Sequence, residues 1–217
     1  MPQGSVLGPL LFNIYLNDLF WVFERTEACN FADDTTLYSC DLDLSTMIRN
    51  LEHDSLLAIE WFENNYMKLN ADKCHLLTAG HKHEWLLVKI RNNMIWESQN
   101  EKLLGVTIDN KLSFKTHILN ICKTANTKLT ALRRYCKLLT FEKKRILFKS
   151  FIQSQFSYCP LAWMFHNRCL NNKLNKLHER SLRMVYDDDK SSFQDLLSRD
   201  GAYTIHERNI QALAVVL

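Results

Sequence analysis

The 217-residue sequence predicts an α+β fold, with antiparallel strands and helices in its first half and mostly helices in its second half. Short runs that alternate apolar and polar residues, separated by turn-forming residues, lie within residues 1–112. After Ser113, apolar residues recur every three or four positions, which is the helical period. Residues 1–112 carry nine Lys and Arg against sixteen Asp and Glu, whereas residues 113–217 carry eighteen against eight. We therefore divide the chain into domains 1–112 and 113–217.

The residues from Cys29 to Tyr38 predict two short strands folded back on each other, with Asp33 and Asp34 at the bend. Neighbouring side chains on a flat strand point to opposite faces, so adjacent carboxylates converge only where the chain turns. Carboxylate oxygens are ligands that Mg²⁺ prefers, and phosphoryl transfer uses two such ions about 3.5–4 Å apart. The alternative is a solvated turn that binds nothing.

The first twelve residues, MPQGSVLGPLLF, predict a loop that leads into a helix. Gly4 disfavours regular structure and permits close approach of the backbone to a ligand. Pro9 suits the first turn of a helix, where its missing N–H costs nothing. The apolar residues that recur at helical spacing predict one apolar stripe, made of Leu11, Ile14, Tyr15 and Leu19.

The segment from Pro2 to Phe12, followed about thirty residues later by Phe31-Ala32-Asp33-Asp34, resembles the reverse transcriptases of non-LTR retrotransposons, of the jockey-like kind. The resemblance implies a polymerase palm, made of an antiparallel sheet with helices, followed by a helical thumb. It also implies an RNA-directed DNA polymerase, in which a primer 3′-hydroxyl attacks the α-phosphate of a deoxynucleoside triphosphate. The implied partners are an RNA template, a DNA primer and deoxynucleoside triphosphates.

The resemblance also assigns roles to single residues. Gln3 and Gly4 would bind the incoming nucleotide. Asp33 and Asp34 would be catalytic and would hold Mg²⁺ in a two-metal site, with Asp33 as the more direct ligand. The family's third metal carboxylate precedes the Pro-Gln-Gly loop, and so does its fingers region. We therefore expect a partial chain with an incomplete metal site, clipped at its C-terminus as well, and inactive or nearly so by itself.

Residues 67–78 resemble the family segment that follows the aspartate hairpin, and the resemblance places Lys73 near the triphosphate of the nucleotide. A lysine there would neutralise developing charge or protonate the leaving pyrophosphate, whereas the alternative is a surface lysine. His81 and His83 share one face of any strand that contains them, as metal ligands can. The neighbouring Gly80 favours a solvated turn over a metal site there.

Three further elements are predicted in the first domain. Residues 45–65 predict an amphipathic helix, with Asp54 among the charged residues that mix with its apolar ones. Residues 86–96 predict a β-hairpin. Lys102–Asp109 predicts one strand with an interior glycine, and it resembles the family's primer grip at Leu104 and Gly105. The alternative for Gly105 is a bulge or tight packing.

The second domain predicts three helices. The apolar residues of the first alternate spacings of four and three: Ile118, Cys122, Ala125, Leu129, Leu132, Cys136 and Leu139. A second helix begins near Thr140 and must end before Pro160, and a third covers about 170–185. Residues 113–186 contain fifteen basic and two acidic residues. This excess predicts a surface that binds a nucleic-acid phosphate backbone or, alternatively, a helical face that is only solvated. Antiparallel helices with basic outer faces fit the family's thumb.

The stretch Tyr186-Asp187-Asp188-Asp189 matches the tyrosine and paired aspartates of retroviral enzymes only superficially. It follows a predicted helix and lacks flanking β-branched strands. We interpret it as a helix end followed by an acidic N-cap, without a catalytic role.

Seven cysteines without a Cys-x-x-Cys pair, and the absence of a secretory signal, favour reduced thiols in an intracellular protein of the nucleus or cytoplasm. No apolar run approaches the roughly 20 residues that cross a bilayer, so we expect no membrane partner.

Two other functions fit the same sequence. The first is a non-catalytic module that binds RNA or an RNA–DNA hybrid through the basic helices. The second is a helical interaction protein whose basic faces are only solvated.

Overall fold

The computed structural model describes residues 4–80 and 86–216. By packing, the chain forms two compact units, Met1–Ser98 and Gln99–Leu217. Each strand in the described residues belongs to a two-stranded antiparallel hairpin, and most of the remaining structure is helical, so the predicted α+β class is confirmed. Packing thus divides the chain after Ser98, and residues 99–112 carry two basic and two acidic residues, so the charge asymmetry is the same at residue 98 as at residue 112. Within the described part, no helix is long and apolar enough to cross a bilayer.

The first unit alternates helices and hairpins. Helix α1 (Gly8–Leu16) is followed by a 3-10 turn, the strands β1 (Glu27–Phe31) and β2 (Asp34–Tyr38), and helix α2 (Leu44–Asn64). A 3-10 turn at Ala71–Lys73 precedes β3 (Leu87–Ile90) and β4 (Asn93–Trp96). Asp43 caps α2 by accepting hydrogen bonds from the backbone N–H groups of Ser45 and Thr46, which fixes where this helix begins.

Helix α2 is the packing centre of the first unit. Ala58 and Trp61 pack against Leu16 and Leu19, while Ile59 packs against the β3–β4 hairpin. The two apolar clusters therefore lie on adjacent parts of the α2 surface. One packs α2 against α1 and the following 3-10 turn, and the other packs it against the β3–β4 hairpin.

The prediction for the apolar stripe of α1 was partly wrong. Leu19 is buried, but the other buried residue of this segment is Leu16, and Leu11, Ile14 and Tyr15 are exposed. Helix α1 is apolar around most of its circumference, so its sequence does not select one face. The face that packs is the one that meets α2.

The second unit begins with the hairpin of β5 (Asn100–Leu103) and β6 (Val106–Asp109) and continues as helices. The first long helix is α3 (Lys115–Tyr135). Helix α4 (Phe141–Leu147) continues through a π-helical turn, Phe148–Gln153, into α5 (Ser154–Ser157). The remaining helices are α6 (Pro160–Trp163), α7 (Arg168–Tyr186), α8 (Phe193–Asp200) and α9 (Ile205–Val216).

Helices α3 and α7 and the α4–α5 segment surround one apolar core, completed by α8 and α9. The α4–α5 segment and α7 run in opposite directions, since Phe141 contacts Tyr186 and Phe148 contacts His178. Helix α3 runs parallel to α7, because Asn126 contacts Arg180 and Cys136 contacts Met184. The predicted helical region with basic outer faces is thus present.

The acidic stretch after α7 has a structural explanation. Helix α7 ends at Tyr186, and Asp187 adopts a left-handed conformation with φ +50° as the C-cap. Asp188 accepts hydrogen bonds from Ser191, which lower the pKa of its carboxyl group. The predicted acidic N-cap was wrong, because Ser192 caps α8 in a capping box with Asp195.

Candidate functional site

Asp33 and Asp34 lie at the tip of the β1–β2 hairpin. Phe31 pairs with Asp34, so Ala32 and Asp33 form the two-residue turn and Asp34 is the first residue of β2. Both carboxylates are exposed. The structure therefore places both aspartates at a bend of the chain, as the sequence predicts.

The turn at this tip is strained. Ala32 has φ +54°, a left-handed conformation that glycine adopts readily and that costs other residues about 1–2 kcal/mol. Glycine is the residue expected at the first central position of such a turn. Backbone strain of this kind clusters at functional sites.

The hairpin is attached to α2 through Asp54, which is fully buried. One carboxylate oxygen of Asp54 accepts hydrogen bonds from the backbone N–H of Arg25 at 2.9 Å and from the N–H and hydroxyl of Thr26, both at 2.7 Å. The other oxygen contacts His53 Nδ1 at 2.9 Å. Burial alone would raise the pKa of Asp54, but these hydrogen bonds lower it to about 2. Arg25 and Thr26 directly precede β1, so Asp54 fixes where the hairpin starts.

Sequence analysis missed this role, because it grouped Asp54 with the charged residues of an amphipathic helix. No local signal distinguishes it from Glu52 or Glu63. The two residues before β1 that bind Asp54, Thr26 and Arg25, are 28 and 29 residues away in sequence.

A polar hollow of about 190 Å³ lies between α1 and the hairpin tip. Its lining residues are Asn13, Leu16, Asn17, Phe20, Asn30 and Ala32. Three of them are asparagines, whose amides both donate and accept hydrogen bonds. The sequence analysis did not single out these asparagines, since each stands alone in its own segment.

Of the three predicted nucleotide-binding residues, the structure describes Gly4 and Lys73. Gln3 lies outside the described residues. Gly4 is exposed with φ +87°, a conformation that favours glycine, and a side chain there would meet no protein atom within 4 Å. Lys73 is exposed at the end of the 3-10 turn Ala71–Lys73 and belongs to none of the ion pairs seen among the described residues. His81 and His83 also fall outside the described part of the chain.

The predicted single strand from Lys102 to Asp109 was wrong, because the chain turns back in its middle. Leu103 pairs with Val106, and Leu104 and Gly105 form the two-residue turn between β5 and β6. Both turn residues have positive φ, +46° and +84°, as a tight hairpin turn that matches strand twist requires. Gly105 therefore marks a turn rather than a strand interior, and Leu104 and Gly105 are presented at a hairpin tip.

A basic surface covers the outer side of α3 and α7. It consists of five exposed side chains, which we call the basic face: Lys123, Arg133, Lys173, Lys176 and Arg180. Lys123 precedes Asn126 by three residues and Arg133 follows it by seven, so both lie on the side of α3 that contacts Arg180. Burial raises the pKa of the Cys122 thiol, and the positive charge of the nearby Lys173 opposes part of that rise.

Few carboxylates neutralise the basic face. Helix α3 contains no acidic residue, and the only one in α7, Glu179, pairs with Arg183 at 2.7 Å. The basic residues that bind carboxylates lie elsewhere: Lys144 pairs with Asp187, and Arg145 with Asp200. The five charges of the basic face are therefore available to a polyanion.

A sequence model of the family described as "Reverse transcriptase (RNA-dependent DNA polymerase)" matches residues 1–108. This span contains the loop before α1, the β1–β2 hairpin with its two aspartates, and most of the β5–β6 hairpin. Residues 1–108 therefore belong to the reverse transcriptase family.

Curated relatives extend the similarity beyond the matched span. The RNA-directed DNA polymerase from mobile element jockey of Drosophila melanogaster is 27% identical over 196 residues, which cover 85% of this chain and 21% of that protein. The probable RNA-directed DNA polymerase from transposon BS of the same species is 23% identical over 86% of this chain and 22% of its own length. The corresponding protein from the X-element is 25% identical over 75% of this chain and 19% of its length.

The chain thus spans about a fifth of the length of these relatives. No solved structure matches it. The resemblance to jockey-like reverse transcriptases that residues 2–12 and 31–34 predicted is confirmed.

The donor set of the β1–β2 hairpin tip consists of two carboxylates. Asp33 and Asp34 offer hard, exposed oxygens, and Mg²⁺ is commonly held by one or two carboxylates together with water and substrate phosphates. Among residues 4–80 and 86–216, no group of three His, Cys, Asp or Glu side chains is close enough to hold a metal. Asp33 and Asp34 are therefore the residues of this hairpin tip that could hold Mg²⁺.

Proposed function

We propose that this chain supplies part of the active site of an RNA-directed DNA polymerase from a mobile element. The observation that carries the proposal is the pair of exposed carboxylates at the β1–β2 tip, within a span that matches reverse transcriptases. The relatives are named RNA-directed DNA polymerases, and this supports an RNA template, a DNA primer and deoxynucleoside triphosphates as partners.

In this proposal Asp33 and Asp34 hold Mg²⁺, with Asp33 as the more direct ligand. The ion would neutralise phosphate charge that develops during nucleotidyl transfer. Gln3, Gly4 and Lys73 bind the nucleotide, and Lys73 carries a cation that suits its triphosphate. Leu104 and Gly105 hold the primer end, which is supported by their exposed position at a hairpin tip.

The same proposal assigns residues 1–112 to a partial palm and residues 113–217 to a basic thumb with a C-terminal extension. Because two carboxylates hold a pair of divalent ions poorly, we expect little or no polymerase activity from the chain alone. All seven cysteines are free thiols, which supports a reducing compartment, the nucleus or cytoplasm.

Paramagnetic Mn²⁺ tests the metal site directly, because it broadens the NMR signals of nearby amides. We expect broadening centred on Asp33 and Asp34 in the wild-type chain. Asp33→Asn should lower the affinity for Mn²⁺ roughly tenfold or more, since one of two charged donors is removed. Asp189→Asn is the matched control, because Asp189 is an exposed aspartate of the acidic stretch after α7 and should leave the affinity unchanged.

Broadening centred elsewhere, or equal affinity in Asp33→Asn, would contradict a metal site at the tip. Template-dependent primer extension in Mg²⁺ or Mn²⁺ completes the test. Extension by the isolated chain that Asp33→Ala abolishes would show that the expected inactivity is wrong while supporting the catalytic assignment.

The basic face favours a second function, the binding of RNA or of an RNA–DNA hybrid without catalysis. It lies in the second unit and is independent of the aspartate hairpin. Binding that falls with salt and is unaffected by Asp33→Ala would favour this function, and no salt-sensitive binding would favour a helical interaction protein.

A further inference from the structure

A tyrosine from the helical part of the second unit contacts the β5–β6 turn. The Tyr158 hydroxyl donates a hydrogen bond to the carbonyl oxygen of Leu104 at 2.6 Å. A Cβ on Gly105 would lie 3.4 Å from the nearest ring carbon of Tyr158, so the ring packs against the turn backbone. Tyr158 therefore contacts both central residues of the turn.

Tyr158 is itself held by the core. Its carbonyl oxygen accepts a hydrogen bond from Trp163 Nε1 at 3.0 Å, and Trp163 is fully buried. Tyr158 and Cys159 connect α5 to α6, where Cys159 has φ +45°. The position of the Tyr158 backbone is thus set by a side chain that cannot move without disturbing the core.

A second contact fixes strand β6. The backbone N–H of Thr107 donates to Nδ1 of His117 at 3.2 Å. His117 is 5% exposed, and its ring meets the edge of Trp163 with centroids 6.0 Å apart. Trp163 therefore supports two anchors of the hairpin, with Tyr158 at the turn and His117 at the strand.

We propose that Tyr158 is a positioning residue, which fixes the Leu104–Gly105 turn on the helical core in the orientation that holds the primer end. This inference rests on the primer-binding role proposed above for the turn. Tyr158 is 55% exposed, so its ring contributes little to the core, whereas its hydroxyl binds a turn carbonyl. A residue that served packing alone would not need the hydroxyl.

Tyr158→Phe isolates that hydroxyl while retaining the ring. We expect amide hydrogen exchange at Val106 in the free protein to become roughly tenfold faster, because one hydrogen bond no longer restrains the turn. Protection in α7 should not change. The matched control is Tyr135→Phe, since Tyr135 is an exposed tyrosine at the end of α3. A second variant, Gly105→Ala, strains the turn at φ +84° and should act in the same direction.

A 2-aminopurine at the primer 3′ end reports on positioning, while anisotropy of the same primer–template duplex reports on overall affinity. We expect Tyr158→Phe to alter the 2-aminopurine signal by at least twofold with affinity unchanged. Unchanged exchange at Val106 would overturn the anchor. Faster exchange with an unchanged primer-end signal would overturn the positioning role. If the wild-type chain binds the duplex but gives no primer-end signal, while exchange in Tyr158→Phe is faster, the anchor stands and the proposed primer role of the turn fails.

Discussion

His178 occupies the centre of an aromatic cluster in the second unit. It is 1% exposed and stacks on Phe148, with ring centroids 5.9 Å apart, while Phe156 and Phe193 contact its other sides. Burial lowers the pKa of His178 to about 4, and the charge of Arg208 acts in the same direction, whereas Asp200 opposes it. The imidazole is therefore neutral in the folded protein at physiological pH.

The stability of the second unit should therefore depend on pH through His178. The pKa in the unfolded chain is about 6.5 and exceeds that of the folded state, so the unfolded state binds the proton first. The stabilisation from neutral His178 is complete above pH 6.5 and is lost as pH falls toward 4, by about 3 kcal/mol in total. Exchange of the most protected α7 amides measures it. In His178→Phe this part of the pH dependence should disappear.

His206→Gln provides the control, because His206 is exposed on α9 and should leave the pH dependence as it is in the wild type. The buried His117, whose pKa burial also lowers, remains in both variants and contributes equally to each. The same pH dependence in His178→Phe and the wild type would contradict the assignment to His178.

At the scale of elements, the β1–β2 hairpin combines a strained tip with a firm base. The base is held by Asp54, whereas the tip carries Ala32 in a left-handed conformation next to the two aspartates. The strained turn at the tip lowers local stability, whereas Asp54 stabilises the start of β1.

Ala32→Gly should relieve that strain. Glycine adopts φ +54° freely, and after its larger entropy loss on folding we expect the hairpin to gain about 0.5–1 kcal/mol. Hydrogen exchange of the β1 and β2 amides measures the gain. Ala28→Gly within β1 is the control and should lower the protection of the same amides, because glycine weakens the interior of a strand. Loss of protection in both variants would show that Ala32 is not strained.

At the scale of the whole molecule, the two packing units carry opposite net charge. Residues 1–98 carry seven basic and fourteen acidic residues, and residues 99–217 carry twenty and ten. A polyanion should therefore bind the second unit, where five basic side chains on α3 and α7 have no carboxylate partner among residues 4–80 and 86–216.

Fluorescence anisotropy with an RNA–DNA hybrid at several salt concentrations tests this. Replacing Lys173, Lys176 and Arg180 by Gln should weaken binding and reduce the slope of log K against log salt by up to about 0.9 for each phosphate that the protein no longer neutralises. Lys143→Gln, an exposed lysine on α4 outside the basic face, should leave the slope unchanged. An unchanged slope in the triple variant would exclude the basic face as the binding surface.

The sequence by itself determined the features that depend on a few neighbouring residues. These include the β1–β2 and β3–β4 hairpins, helices α2, α3 and α7, and the paired carboxylates at a bend, since turn chemistry and helical periodicity act within a few positions. The motifs of residues 2–12 and 31–34 also identified the family.

The tertiary structure decided which residues become buried or anchored. Three features depend on a partner far away in sequence: the face of α1 that packs, the burial of Asp54, and the hydrogen bond from Tyr158 to the Leu104–Gly105 turn. The turn itself was missed because Leu104 tolerates positive φ only where neighbours enforce it. Local sequence sets what a segment can form, whereas burial and hydrogen-bond partners are set by the segments that fold against it.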